Sequence, residues 1–166
     1  DDEGYAFIRE KEIFIAGGKD TPGSVYKSDS PYTPAHSIEK WGSQKCKIAM
    51  GHRRLSIIDP SPTGHQPMIT PDGRFVIVYN GEVYNYVELR EELKNKGYQF
   101  ISDTDTEVIL AAYNVWGPDC LNRFIGMFSF VIFDIGNENI FAARDRFGVK
   151  PFYYWFSPKG FLAFAS

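Results

Sequence analysis

Between Asn85 and Trp116 the sequence follows a helical period, and on either side of that stretch it does not. Ahead of it, Arg74 to Asn80 (Arg-Phe-Val-Ile-Val-Tyr-Asn) is a short apolar run of the kind that makes a buried strand. Within it, Asn85 can cap a first helix, with Glu88 three residues on and Leu89 and Leu93 on one face, and Gly97 stops it. Thr104 can cap a second helix, Asp105 to about Trp116, with Glu107 closing a capping box. Val108, Ile109, Leu110, Ala112 and Tyr113 make that helix apolar nearly all round, which predicts deep burial. Pro118 begins a further short helix, and then the period changes again. Met127–Asp134, Asn139–Ala143, Phe152–Phe156 and Phe161–Ala165 read as four strands in succession. Strands, then helices, then strands predict an α+β layered fold rather than a regular βαβ alternation.

Gly4–Ile8 and Glu12–Ala16 read as short strands at the start of the chain. Gly17 to Ser43 is rich in Gly, Pro, Ser and Lys without a period, and predicts a long surface excursion. Cys46 to Asp59 is apolar enough for a strand that ends in the breakers Asp59-Pro60-Ser61-Pro62. At 166 residues the chain suits one domain, and its aromatic content of 16% suits a sheet-rich core. A net charge of −3 with no dense Lys/Arg run argues against nucleic acid or an anionic membrane as partner. No apolar run, Phe128 to Phe133 included, is long enough to span a bilayer. Cys46 and Cys120, widely spaced and without a secretory segment, read as reduced cytosolic thiols, so a cytoplasmic location is expected. No CxxC or HxxxH spacing supports a metal site. The start, Asp1-Asp2-Glu3-Gly4, has neither an initiator Met nor targeting character.

Four segments could carry chemistry, and each also has a simpler reading. Asn80-Gly81 after an apolar strand is a favoured type I′ hairpin turn. It also sets a side-chain amide and an unhindered backbone N–H at one spot, two donors of the kind that stabilise an oxyanion, and Glu82 then runs on toward a helix cap. His52-Arg53-Arg54 in a strand is either a solvated basic edge or a run with one guanidinium turned inward to grip a carboxylate. Asp105 in the first turn of a helix interacts favourably with the helix dipole whether or not it binds anything. Asp145, after a strand and before a turn, is most simply a structural ion-pair and turn residue.

Taken together these segments resemble a known family. Gly51 to Asp59 (Gly-His-Arg-Arg-Leu-Ser-Ile-Ile-Asp), Gln66-Pro67, Tyr79 to Asn85 (Tyr-Asn-Gly-Glu-Val-Tyr-Asn), Asp103 to Val108, and Gly126-Met127-Phe128 with Arg144 to Tyr154 look like class II glutamine amidotransferase motifs in the expected order. The match runs from about Ala49 to the end and is closest to the glutaminase domain of glutamine-hydrolysing asparagine synthetase. Gly17 to Ser43 matches none of it.

The resemblance implies an N-terminal-nucleophile fold, a four-layer αββα sandwich of two antiparallel sheets flanked by helices. In that family an initial cysteine attacks the glutamine carboxamide, its own α-amine shuttles the proton, and ammonia leaves. Carried over position by position, Arg54 clamps the substrate α-carboxylate, with the backbone of Leu55, Ser56, Ile57 and Ile58 lining the same pocket. The Asn80 side chain and Gly81 N–H form the oxyanion hole, and Glu82 and Asp105 hold the α-ammonium. Asp1-Asp2-Glu3-Gly4 resembles the tail of a His-Arg-Gly-Pro-Asp segment, so the nucleophile strand is expected before Asp1, and without it residues 1–166 are expected to be inactive alone. Neither Cys46 nor Cys120 is expected to replace the nucleophile. No metal or cofactor is expected in this domain. A synthetase domain that uses ATP and Mg²⁺ to amidate aspartate is expected after Ser166 as its partner in the same polypeptide, and a homodimer is compatible with the resemblance. Two other readings stay open at this point: the glutaminase domain of a sugar-phosphate or phosphoribosyl amidotransferase, and a non-catalytic glutamine-binding module.

Overall fold

A computed structural model describes residues 2–55, 59 and 61–166 of the chain. The first sheet is built from β1 (Asp2–Arg9), β2 (Glu12–Gly17), β3 (His36–Ser37) and β4 (Ile48–Arg54), in the order β3-β2-β1-β4. β1 is antiparallel to both neighbours, with Asp2 opposite Arg54 and Gly4 opposite His52. Strand alternation turns Ala6, Ile8 and Met50 inward and leaves Tyr5 and Phe7 on the outer face. The second sheet has β5 (Met68–Ile69), β6 (Phe75–Val83), β7 (Gly126–Asp134) and β8 (Asn139–Arg144) in sequential order. Between β6 and β7 the chain makes α1 (Tyr86–Asn95) and α2 (Asp105–Trp116). β9 (Tyr153–Phe156) and β10 (Leu162–Ala165) close the chain as a separate antiparallel hairpin.

Two apolar layers hold these parts together. Ala6, Ile8 and Met50 of the first sheet meet Val76, Val78, Val131 and Phe133 of the second. On the far face of the second sheet, Ile77, Tyr79, Phe128 and Phe130 pack against Leu89 and Leu93 of α1 and Val108 to Ala112 of α2. The expected sandwich of two sheets is therefore present, with both α-helices of the described residues on the second sheet. On the first sheet's outer face Trp41 stacks on Phe7 at 4.7 Å. No helix among the described residues is long and apolar enough to cross a membrane.

Three local expectations change. β6 runs straight through Asn80-Gly81 to Val83, so the pair is a mid-strand site and not a hairpin turn. Asn85 stands at the start of α1 but does not cap it; its amide bonds the Arg123 carbonyl at 2.9 Å and the Ile125 N–H at 2.9 Å. Residues 17–43 are tied down in the middle of their length, with Val25 and Tyr32 buried and the Tyr32 hydroxyl donating to Glu107 Oε1 at 2.6 Å. The Thr104 cap is as expected, since its hydroxyl accepts from Glu107 N at 3.2 Å. Glu107 does not return the bond to Thr104; its carboxylate takes the N–H groups of Ile101 and Ser102 instead.

Candidate active site

Residues of β4, β6 and β7 converge on an open cleft of about 460 Å³ between the sheets. Arg54, Leu55, Asn80, Gly81, Glu82 and Asp105 all line it, although they come from three separate parts of the chain. Ser56, Ile57 and Ile58 lie outside the described residues.

Period-two alternation sorts the basic run on β4. Arg53 points out of the sheet and pairs with Asp20 at 2.7 Å in solvent. Arg54 and His52 point in. The Arg54 guanidinium is half-buried and is aimed by backbone: Nη1 donates to the Ser61 carbonyl at 2.9 Å and Nη2 to the Asp59 carbonyl. A Cβ on Gly64 would collide with Nη2, so the glycine makes the berth for the planar group. Asp59 is itself fixed by Ser61 N–H at 2.8 Å and the Thr63 hydroxyl at 2.9 Å. The breaker cluster seen in the sequence is thus a cradle for one arginine.

Across the cleft, β6 offers a row of N–H groups along one edge. Tyr79 N–H is taken by the Gln66 side-chain oxygen at 2.7 Å, and Val83 N–H by Asp105 Oδ2 at 3.0 Å. Gly81 lies between them in the same alternation. Its cross-strand partner Phe128 spends its own N–H and carbonyl on Asp145. Gly81 N–H is therefore turned off the edge, toward the cleft. Its φ of +154° lies where side chains are strained, and a Cβ there would run into the Met127 carbonyl and, at 2.6 Å, Phe128 Cα. Only glycine suits the position. Asn80 faces the first sheet, with its Nδ2 donating to Ser166 Oγ at 3.0 Å, and Ser166 in turn donates to the Pro151 carbonyl at 2.8 Å.

Asp105 is buried at the first turn of α2, and its Oδ2 accepts from both the Tyr79 hydroxyl at 2.7 Å and Val83 N–H. Burial pushes its carboxyl above the usual range, while those two bonds pull the other way. Glu82 is half-buried on the same rim. His52 is shielded enough that its imidazole is pushed down to about 4, so it is neutral at pH 7. Asp145 stands apart from the cleft as a turn hub, accepting from the N–H groups of Phe128, Phe147, Val149 and Lys150. Cys120 is fully buried in the helix layer, and burial raises its thiol to about 12. Among the described residues no three His, Cys, Asp or Glu side chains group as metal ligands.

Residues 37–166 match the model of the glutamine amidotransferase domain, well over half of the chain. The chain belongs to that family. Relatives include asparagine synthetase [glutamine-hydrolyzing] 1 of Bacillus subtilis, 48% identical over 107 residues that are 64% of this chain and 17% of the relative. The putative asparagine synthetase [glutamine-hydrolyzing] 2 of Methanocaldococcus jannaschii is 46% identical over 129 residues, 69% of this chain and 24% of the relative. The chain thus spans less than a quarter of the length of these relatives. In fold it is similar to glutamine phosphoribosylpyrophosphate amidotransferase from B. subtilis, with TM-score 0.70 over 97% of this chain and 34% of the other at 20% identity.

Sequence reasoning missed several residues around this amidotransferase cleft. Gln66, buried, braces β6 through Tyr79 N–H and approaches Thr106 at 3.5 Å. Ser129, opposite Asn80 on β7, is buried with no partner for its hydroxyl among the described residues. His65 pairs with Asp2 at 2.9 Å. Only Gln66 carried a signal, as part of a Gln-Pro motif; the others depend on contacts between distant strands.

Proposed function

We propose that the cleft binds free L-glutamine and hydrolyses its carboxamide. Glutamine is a zwitterion whose charged end needs opposite charges on its two sides. Arg54 supplies the cation for the α-carboxylate, with its guanidinium pre-aimed by the Asp59 and Ser61 carbonyls. Glu82 and the Asp105 oxygen not committed to Tyr79 and Val83 supply the anions for the α-ammonium. The carboxamide oxygen then meets Gly81 N–H and the Asn80 side chain. Such fixed donors cost no reorganisation as negative charge develops.

The observation that carries this reading is the Gly81 N–H, turned into the cleft between two neighbours whose N–H groups are already bonded. The nucleophile we assign to an N-terminal cysteine outside residues 1–166, since Cys120 is sealed in the core and Cys46 is not among the residues lining the cleft. Its thiolate adds to the carboxamide carbon, ammonia departs with the proton returned by the α-amine, and water releases glutamate from the thioester.

The similarity to asparagine synthetases supports a further step: ammonia passes to a synthetase domain of the same polypeptide, which uses ATP and Mg²⁺ to amidate aspartate in the cytoplasm. The direct test is glutamate release by a polypeptide carrying both this domain and its N-terminal cysteine, blocked by a glutamine-like diazo-ketone. Arg54→Lys should raise KM for glutamine more than tenfold, because an ammonium cannot bond a carboxylate in bidentate fashion. No glutamate release from the extended polypeptide, with glutamine still bound, would instead make the domain a glutamine-binding module.

A further inference from the structure

Beneath Gly4, beside the cleft, lies a buried pair that the proposed reaction leaves unused. His65 Nδ1 is 2.9 Å from Asp2 Oδ2, with side chains 0% and 5% exposed. Two atoms of the pair, His65 Nε2 and Asp2 Oδ1, are buried without a hydrogen-bond partner among the described residues. Buried polar atoms are nearly always bonded, and a buried ion pair is by itself weak evidence for stability. The pair's value is better sought in its neighbours.

Both partners adjoin the berth of Arg54. Asp2 is directly opposite Arg54 in the β1–β4 register. His65 follows Gly64, the residue whose missing side chain makes room for the guanidinium. The carbonyls that aim Arg54 belong to Asp59 and Ser61, and Ser61 opens the short turn that ends at His65. Residues 61–65 are thus tied to the first sheet through His65 and Asp2. Gly4 seals the join, since a Cβ there would run into both His65 Nε2 and the Gln66 carbonyl. Burial disfavours the Asp2 carboxylate, yet the His65 hydrogen bond and the Arg54 charge hold it below the usual range.

We propose that Asp2 and His65 form a positioning couple for Arg54, pinning the turn at residues 61–65 to β1 so that the guanidinium meets the substrate carboxylate at a fixed angle. Neither residue reaches substrate; both act through the carbonyls that aim Arg54. The inference rests on the assignment of Arg54 to the glutamine α-carboxylate, and it extends that site by two residues.

The test compares binding of L-glutamine with that of L-glutaminamide, which replaces the α-carboxylate by an uncharged amide, using calorimetry on this chain. The ratio of the two affinities reads the Arg54–carboxylate contact, and a loss of general stability does not move it. His65→Gln, which moves the donor away from the Nδ1 position, should shrink the ratio about tenfold, equivalent to misplacing one charged contact. His65→Asn, whose amide nitrogen falls where Nδ1 sits, should keep the ratio within about twofold of the parent. Asp2→Ala approaches the couple from the other side and should match His65→Gln.

Ratios unchanged in His65→Gln and Asp2→Ala would overturn the couple and leave the Arg54 assignment standing. Equal losses in His65→Gln and His65→Asn would also overturn it, since the ring's bulk and not its hydrogen bond would then matter. Failure of both His65→Gln and Asp2→Ala to fold would make the pair a stability element and overturn the positioning role. If the parent chain itself does not prefer glutamine to L-glutaminamide, the Arg54 assignment falls first and the couple with it.

Discussion

The Tyr79 hydroxyl donates to Asp105 Oδ2 at 2.7 Å, joining the middle of β6 to the first turn of α2 through a carboxylate that also takes Val83 N–H. One oxygen of Asp105 is thereby spent on holding the strand that carries Asn80 and Gly81. The residue expected to hold an ammonium group is also the clamp on the oxyanion strand. A helix-dipole role and a binding role do not compete here, because the two carboxylate oxygens can be used differently.

Tyr79→Phe separates these roles. It removes a hydrogen bond to a buried carboxylate, which costs about 2 kcal/mol of stability. It also removes a bond that favours the ionised form, so the Asp105 carboxyl, already raised by burial, should rise further. Glutamine affinity in Tyr79→Phe should then fall more steeply than in the parent as pH drops from 7 toward 5. Calorimetric titrations at several pH values check this, and parallel curves would remove Asp105 from the ammonium site.

Gly81→Ala should be among the most damaging single changes in the domain. Alanine at a φ of +154° is strained by about 1–3 kcal/mol, and its methyl must displace the Met127 carbonyl. The β6–β7 pairing opens at that point, and the N–H loses its aim at the cleft. In a polypeptide carrying the N-terminal cysteine, kcat should drop roughly 100- to 1,000-fold, as for loss of one oxyanion donor. Glutamine KM should change far less. A matched rise in KM with kcat intact would count against the oxyanion assignment.

What could be read in advance divides by the range of the interactions involved. Thr104, the all-round apolar face of α2 and the strands from Gly126 onward are local patterns, and each lies within a residue or two of where it was expected. Asn80-Gly81 was ambiguous because a turn signal and a mid-strand glycine look alike until the partner strand is known. Here β7, over forty residues later, supplies the Phe128 backbone that forbids a side chain. The Arg54 berth needed Gly64, and the His65–Asp2 pair needed β1 beside β4; neither leaves a periodic trace. The site motifs were legible as a family resemblance, whereas the supports behind them were not.

His52 gives the domain an acid limb. Its folded imidazole is held near 4, below the 6.5 of an ordinary histidine, so between those values the unfolded chain binds the extra proton. Stability rises with pH wherever the unfolded state holds more protons, so the chain weakens as pH falls from 6.5 to 4. The full effect is at most about 3 kcal/mol. Asp2, held low, adds a loss only at more acid pH, and Asp105, held high, works in the opposite sense. Denaturant titrations of the parent and His52→Gln across this range should differ in slope above pH 4, with the variant flatter. Identical slopes would show that His52 is solvated.

Glu107 ties the long excursion to the core. Its carboxylate is 1% exposed and accepts from the Tyr32 hydroxyl, the N–H groups of Ile101 and Ser102 and the Ser102 hydroxyl. Replacing Tyr32 by Phe removes one donor and leaves the others paired, so the cost should be about 1.5 kcal/mol, the low end for a bond to a carboxylate. Glu107→Gln is different in kind. An amide has one acceptor oxygen and turns its NH₂ toward the other donors, so the N–H of Ile101 or Ser102 loses its shortest bond to the side chain, costing about 2–3 kcal/mol. The two changes share a contact and should not add: in the double variant, Tyr32→Phe should cost less than it does alone. Local release should precede global loss. Limited proteolysis between residues 23 and 31 should speed up in Tyr32→Phe while the denaturant midpoint moves little, and both should change in Glu107→Gln. Equal protease resistance in Tyr32→Phe and the parent would mean that Val25 and the neighbouring turns hold the excursion without the hydroxyl.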